Sequence, residues 1–484
     1  MPVTTPSTTD VQPPTQKPGD RHVEREIAEL MARARAAQAI YESFDQQRVD
    51  AVVSAVAWAI MEPHRARELA ELAVKDTGLG NVEDKTTKNR RKTMGTLRDL
   101  LGAPSVGVIA EKPELGITEY AKPMGVIAAV CPSTNPAATP ANKTMMALKG
   151  RNAVILSPSP KGGSTCRLLV SYIHEQLDKV GAPRDLVQFI ARPSKALTYE
   201  LMAQSDFVVV TGSQKNVRAA YSSGTPAIGV GVGNAPVIID ASADLADAAE
   251  KIRRSKTFDN ATSCSSENSI HVNDEIYDAA MDALKKEGGY LLSPEEKLRL
   301  QAAMWPGGKL SIEIMAQSPA TVAAVAGLDT AAARSARFFM VEEDQFGPDH
   351  PFSGEKLSVV LAVYRWSDFD AALARIQAIL NFQGAGHSCG IHTADLERAR
   401  TVAERLEVAR VLVNQAHAQG NGGGFDNGLG FTLTMGAGTW AGNSISDNLS
   451  YRHFLNITTL ARTIPPREPN EDELFGAYFS TYGR

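Results

Sequence analysis

The sequence predicts an α/β fold with parallel sheets in two domains, and three observations predict it. From Gly125 onward, short apolar runs alternate with helix-patterned segments, the signature of parallel strands joined by crossover helices. Beyond about residue 240 the alternation continues with different spacings, which calls for a second sheet. The chain of 484 residues is also longer than a single core usually serves.

Residues 1–21 open with a Pro-, Thr- and Gln-rich stretch of low apolar content and are expected to form a disordered tail. Helical spacing of Val23, Ile27, Leu30, Met31 and Ala34 predicts a helix over 22–40, with Asp20 as its N-cap. A second helix follows Asp45 and ends at Pro63. A third carries Leu69, Leu72 and Ala73 and stops near Gly78. Val106–Ala110 and Ile117–Ala121 read as a hairpin. The alternation proper runs through strand Gly125–Val130, helix 137–149, strand Ala153–Leu156, helix 163–180 and strand Leu186–Ile190. Helix 195–204, strand Phe207–Val210, helix 213–222 and strands near Ile228–Val232 and Val237–Ile239 complete it. Further on come helices near 274–287 and 294–303, strands near Phe338–Glu342 and Leu357–Tyr364, and helix 367–380. Strand Ser388–His392, helix 395–406 and strand Arg410–Asn414 then lead to a Gly- and Asn-rich loop, Gly420–Gly430. The expected division is 22–240 for the first domain, completed by parts of 431–464, then 241–430, and a tail over 465–484.

Composition excludes several classes. Net charge is −5, with 43% hydrophobic and 22% charged residues, which gives no reason to expect nucleic acid or an anionic membrane as partner. No apolar run approaches a membrane span, and no signal pattern precedes the first helix. The four cysteines, Cys131, Cys166, Cys264 and Cys389, are far apart with no CxxC pair. That spacing speaks against a metal site or a disulfide framework and for a reducing, cytoplasmic setting.

Ligands of parallel sheets sit at the carboxyl ends of the strands, so the informative loops are Cys131–Pro136, Ser157–Gly163 and Thr211–Lys215. Cys264 lies elsewhere, in the polar, turn-prone Thr262-Ser263-Cys264-Ser265-Ser266-Glu267, where a thiol can reach a substrate as a nucleophile. The other three cysteines fall in or beside packed elements. Asn135 lies just past a strand end, and its amide is suited to hold an oxyanion. Thr211-Gly212-Ser213 ends a strand and opens a helix, where backbone N–H groups can receive a phosphate. No GxGxxG follows a strand. His387 and His392 flank Cys389 and read as core or interface histidines.

Several segments in this order resemble one family. They include Lys122-Pro123-Met124-Gly125-Val126 leading to Pro132-Ser133-Thr134-Asn135-Pro136, then Ala147-Leu148-Lys149-Gly150-Arg151-Asn152 and Gly231-Val232-Gly233-Asn234. The stretch Phe258-Asp259-Asn260 through Glu267, Gly384-Ala385-Gly386-His387 and Gly438-Thr439-Trp440 follow. Over about residues 22–464 the chain resembles an aldehyde dehydrogenase, specifically the CoA-acylating branch. The resemblance implies a Rossmann-like cofactor domain, an α/β catalytic domain and a small oligomerisation element. It implies Cys264 as nucleophile, Asn135 as oxyanion donor and Glu355 at the nicotinamide ribose, with a homodimer or homotetramer as the assembly.

Two departures from hydrolytic relatives set the further expectations. Their glutamate base lies in Glu-Leu-Gly-Gly-Lys, whereas Gly229–Pro236 here contains no acid. An acyl-enzyme without a base for water waits for a thiol, so coenzyme A is expected as co-substrate. At Ser157-Pro158-Ser159-Pro160-Lys161 the acid of NAD-selective relatives is missing. Ser157 and Lys161 are therefore expected near a 2′-phosphate, with NADP accepted beside NAD. The Asn414-Gln415 pair and the 422–428 loop resemble the sulfoacetaldehyde and succinate-semialdehyde group and imply a short anionic aldehyde, sulfoacetaldehyde first. His417 and Asn421 are the expected substrate contacts, since no Lys or Arg lies between Arg410 and Arg452. Rival readings are a succinate-semialdehyde or propionaldehyde acylating enzyme, a hydrolytic aldehyde dehydrogenase, a silent binding protein of the family, and a glutamyl-phosphate reductase.

Overall fold

The computed structural model describes residues 18–484. Residues 1–17, most of the expected tail, lie outside the described residues. The first helix spans Pro18–Tyr41, so it begins ahead of Asp20, which is not its cap.

Two all-parallel sheets and one antiparallel sheet organise the chain. The five-stranded sheet has the order Val187–Phe189, Ala153–Ser157, Val126–Val130, Phe207–Thr211, Ala227–Val230. Its strands are almost wholly apolar and buried on both faces, as parallel strands covered by helices must be. Chain order runs outward one way from Val126–Val130 and then the other way from Phe207–Thr211. The switch point therefore lies between the loops after Val130 and after Thr211.

The seven-stranded sheet has the order Gly289–Leu291, Phe338–Glu342, Val360–Trp366, Ser269–Asn273, Pro236–Ile239, Cys389–His392, Val411–Val413. Pro236–Ile239 pairs in parallel with Ser269–Asn273 and with Cys389–His392, so it belongs to this second sheet. The crossing between sheets therefore falls within 231–235, ahead of the boundary expected at 240. Alternation alone marks strands but not the sheet each one joins. Leu449, Tyr451, Phe454 and Leu455 return to pack in the first core.

The third sheet joins Gly107–Lys112 and Ile117–Pro123 to Leu455–Ala461, all antiparallel. Gly116 takes a left-handed φ of 65° at the hairpin, and a Cβ there would lie 2.6 Å from the Arg462 carbonyl oxygen, so glycine is required.

Helix Val82–Leu100 is an element that apolar periodicity does not show. Its buried side is Lys85, Lys88, Asn89, Lys92, Thr93 and Thr96. Asn81 caps it by accepting from the Asp84 N–H at 2.8 Å. A helix that buries lysines is informative in itself, because such burial is costly unless the ammonium groups have partners.

Candidate active site

The loops at the switch point of the five-stranded sheet wall a cavity of about 540 Å³. Asn135, Ser157, Thr211, Gly212, Ser213, Cys264 and Glu355 all line it. Cys264 comes from the amino end of strand Ser269–Asn273, so one sheet's carboxyl edge faces the other's amino edge. This places thiol and cofactor loops in one space.

Three consecutive residues before the nucleophile, Asp259, Asn260 and Ala261, hold left-handed φ values of 51°, 51° and 60°. Each costs about 1–2 kcal/mol for a side chain with a Cβ, so the turn needs support. Buried Asp259 supplies it. Its carboxylate accepts from the Asn81 N–H at 3.0 Å, Lys85 Nζ at 3.0 Å, Lys88 Nζ at 2.6 Å and Thr262 Oγ1 at 2.6 Å. Burial works to raise the Asp259 pKa, but Lys88 and Lys85 hold it below the usual carboxylate value. Lys88 Nζ also donates to Asn135 Oδ1 at 2.9 Å. With its oxygen held by a cation, the Asn135 amide presents its NH₂ to the cavity as a donor, as an oxyanion requires. Among the described residues the Cys264 N–H has no backbone acceptor, so it is available as a second donor at this point.

The nucleophile is pressed from behind by Gly233. A Cβ there would stand 2.8 Å from the Cys264 carbonyl oxygen, 2.9 Å from His387 Cδ2 and 3.0 Å from Cys264 Cβ. Gly233 thus separates the nucleophile's backbone from the His387 ring, and no side chain would fit between them. His387 Nδ1 pairs with Ser388 Oγ at 2.7 Å, and its Nε2 is buried without a partner. Burial pushes the His387 pKa well down, so the ring is neutral and resists protonation. It is fully buried and does not line the cavity, as the core reading of its sequence expects. Desolvation, and then Glu355, push the Cys264 thiol up to about 12. Burial raises Glu355 to about 7, while its Oε1 accepts the Gly233 N–H at 3.2 Å.

His417 and Asn421 are not substrate contacts. Both are fully buried behind the nucleophile loop. His417 Nδ1 meets the Ser265 carbonyl oxygen at 2.8 Å, and the His417 N–H donates to Glu267 Oε1 at 3.1 Å. Asn421 Nδ2 donates to Ser265 Oγ at 3.1 Å, and its Oδ1 accepts from Arg410 Nε at 2.9 Å. Hydrogen bonds of this kind tie both residues to the Ser265–Glu267 segment, and neither lines the cavity.

At the far end of the cavity the walls suit a dinucleotide. Thr211-Gly212-Ser213 opens helix Gln214–Tyr221; the Gly212 N–H already donates to the Val230 carbonyl oxygen at 3.1 Å, but a Cβ on Gly212 would meet nothing within 4 Å, so a phosphate has room to approach the helix's first turn. Ser157 Oγ is already engaged with Thr198 Oγ1 at 2.8 Å. Lys161 is exposed and does not line the cavity. Lys195, the first residue of helix Lys195–Gln204, does so instead, and sequence reading missed it. Among the lining residues Glu355 is the one carboxylate and Lys195 the one cation.

A cysteine beside an amide donor, in a cavity of about 540 Å³ walled by the switch-point loops, is the arrangement an oxidoreductase working on carbonyl carbon through a covalent intermediate needs. The chain belongs to the aldehyde dehydrogenase family, whose model matches residues 1–291. It is 56% identical to the sulfoacetaldehyde dehydrogenase (acylating) of Cupriavidus necator over 95% of this chain and 93% of that one. An acetylating aldehyde dehydrogenase from Geobacillus thermoglucosidasius superposes with a TM-score of 0.89 at 34% identity, covering 94% of this chain and 100% of that one. The propionaldehyde dehydrogenase of Rhodopseudomonas palustris with bound propionyl-CoA has a TM-score of 0.81 at 26% identity, covering 90% and 94%. Among the described residues, no helix is long and apolar enough to cross a membrane.

Proposed function

We propose that the chain oxidises a short anionic aldehyde, sulfoacetaldehyde first, to its acyl-CoA with NADP or NAD. The observation that carries the acylating reading is the composition of the wall around Cys264. The cavity offers Glu355 as its one carboxylate, the Gly233 N–H already engages it, and Gly229–Pro236 contributes none. The substrate reading is supported by the 56% identity over nearly the whole of a sulfoacetaldehyde enzyme.

The thiol of Cys264 gives up its proton to solvent in the open cavity and adds to the aldehyde carbon. The resulting oxyanion is held by the Asn135 amide and the Cys264 N–H. Bound NAD(P) supplies the hydride acceptor, and the loss of hydride from the substrate carbon leaves a thioester on Cys264. Ser157, Lys195 and Thr211–Ser213 line the part of the cavity that would hold the dinucleotide, with Glu355 at its ribose. A coenzyme A thiol then displaces Cys264, which recovers its proton as acyl-CoA leaves. A thiol is partly ionised near neutrality and needs less activation than water. Exposed Ile457 and Leu460 on the edge strand Leu455–Ala461 suit the apolar face of a homodimer or homotetramer.

The test is absorbance at 340 nm with sulfoacetaldehyde and NADP, with and without coenzyme A. Sustained reduction that needs coenzyme A and disappears in Cys264→Ala is expected. Multi-turnover reduction without coenzyme A would mean hydrolysis and would overturn the reading.

A further inference from the structure

We infer that Lys92 is the charge the active site reserves for the anionic end of the aldehyde; this rests on the proposed function and deepens it. Lys85, Lys88 and Lys92 follow one another at spacings of three and four on the buried side of helix Val82–Leu100, so they form one stripe. Lys85 and Lys88 share the Asp259 carboxylate. Lys92 has no ion pair among the described residues. Its Nζ donates to the carbonyl oxygens of Gly422 at 2.7 Å and Gly423 at 3.3 Å. Two of the three buried ammonium groups thus share one carboxylate, and Lys92, which also lies 5.3 Å from the Phe431 ring, has none; an ammonium has three donors to place.

The location fits the substrate end of the site. A Cβ on Gly422 would lie 3.1 Å from Lys92 Nζ and 3.4 Å from Met435 Sδ. Met435 lines the cavity with Cys264, and its sulfur meets Ser265 Oγ at 3.2 Å. Lys92 therefore sits one residue behind the wall next to the nucleophile, and Lys195 lines the cavity at its cofactor end. Other buried lysines have different surroundings: Lys256 and Lys356 feel glutamates, and Lys143 lies under the first sheet against the Val130 and Val209 carbonyls. Around Lys92 the charged neighbours are Arg91 and Lys88, both of the same sign, and Cys264. A buried cation in that setting is stabilised when an anion arrives. A sulfonate or carboxylate one or two carbons from the carbonyl is such an anion.

The test compares kcat/KM for sulfoacetaldehyde and for propionaldehyde in the wild type, Lys92→Met and Lys92→Arg, with coenzyme A and NADP. The charged-to-neutral ratio is expected to fall about 10- to 100-fold in Lys92→Met, the range for losing a charge-assisted contact, and to be largely kept in Lys92→Arg. An active Lys92→Met enzyme with an unchanged ratio overturns the inference and leaves the proposed function standing. A wild type that turns over propionaldehyde and neither sulfoacetaldehyde nor succinate semialdehyde overturns the function itself. Equal loss of both substrates assigns Lys92 to holding the 422–423 loop and also overturns the inference. A second readout needs no turnover. Isethionate, an unreactive sulfonate, should protect Cys264 from iodoacetamide in the wild type and in Lys92→Arg. Undiminished protection in Lys92→Met would contradict the assignment.

Discussion

Replacing Lys88 by Met should slow acylation of Cys264 without a matching change in KM. Lys88 Nζ holds Asn135 Oδ1 at 2.9 Å and so decides which end of the amide faces the carbonyl oxygen. Removing an oxyanion donor outright costs about 100- to 1000-fold in kcat, about 2.7–4 kcal/mol. Lys88→Met leaves the donor in place but frees it to turn over and removes the cation that polarises it. Turning over alone would halve the competent population. With the lost polarisation and a looser side chain, about 10- to 100-fold is expected. The fold should survive, because Asp259 keeps Lys85, Thr262 and the Asn81 N–H as partners. The assay is the pre-steady-state burst of reduced cofactor, measured in wild type, Lys88→Met, Asn135→Ala and the double variant. If Lys88 works through Asn135, the double variant is no slower than Asn135→Ala. A burst within twofold of wild type in Lys88→Met, or an additive double variant, would refute the reasoning.

Lys195→Ala should raise KM for NADP about tenfold and leave KM for NAD nearly unchanged, since Lys195 is the cation at the cofactor end of the cavity; steady-state kinetics with each cofactor check this. Glu355→Gln should speed alkylation of Cys264 by iodoacetamide at pH 8 by about threefold or more, because the carboxylate beside the thiol opposes its ionisation. The same substitution tests a stability effect. With its folded pKa raised by burial to about 7, Glu355 contributes stability fully below its unfolded value near 4.5, and this contribution is lost as pH rises through 7. The fall in Tm between pH 5 and pH 8 should therefore be smaller in Glu355→Gln. Lys92 is pulled down to about 7 by burial and by Arg91 and Lys88, with Cys264 acting the other way. Preference for sulfoacetaldehyde over propionaldehyde should accordingly decline as pH rises through 7 in the wild type and remain flat in Lys92→Arg.

Strands such as Val126–Val130 and Phe207–Thr211 were legible because an unbroken apolar run has few other uses in a soluble chain. Cys264 and Asn135 share one cavity, and a resemblance had picked both out of turns that spacing alone leaves ambiguous. Helix Val82–Leu100 was not legible. Its inward face is Lys, Asn and Thr, so the pattern that marks a helix's buried side is inverted where the site needs charge. His417 and Asn421 were misread for a related reason. A Gly- and Asn-rich loop looks like open surface, yet its side chains here are internal cross-links to Ser265 and Arg410. Lys161 and Lys195 differ only in which loop approaches the cavity, a tertiary fact. Pro236–Ile239 was recognised as a strand but given to the wrong sheet, because pairing partners far along the chain leave no local trace.

The antiparallel arm has a consequence for how the protein is made. Leu455–Ala461 lies beside Ile117–Pro123, and the Asn456 side chain bonds to the Pro123 carbonyl across 333 residues. The first core likewise waits for Leu449, Tyr451, Phe454 and Leu455. A ribosome delivers Asn456 fully 333 residues after Pro123. The first sheet and its arm therefore emerge lacking their closing strand and stay incomplete until residues 449–461 are out. Contacts this distant in sequence make folding slow and leave an unpaired strand edge on the nascent chain. Truncation ahead of residue 449 should thus cost the amino-terminal half its stability, although the missing segment lies at the other end of the chain.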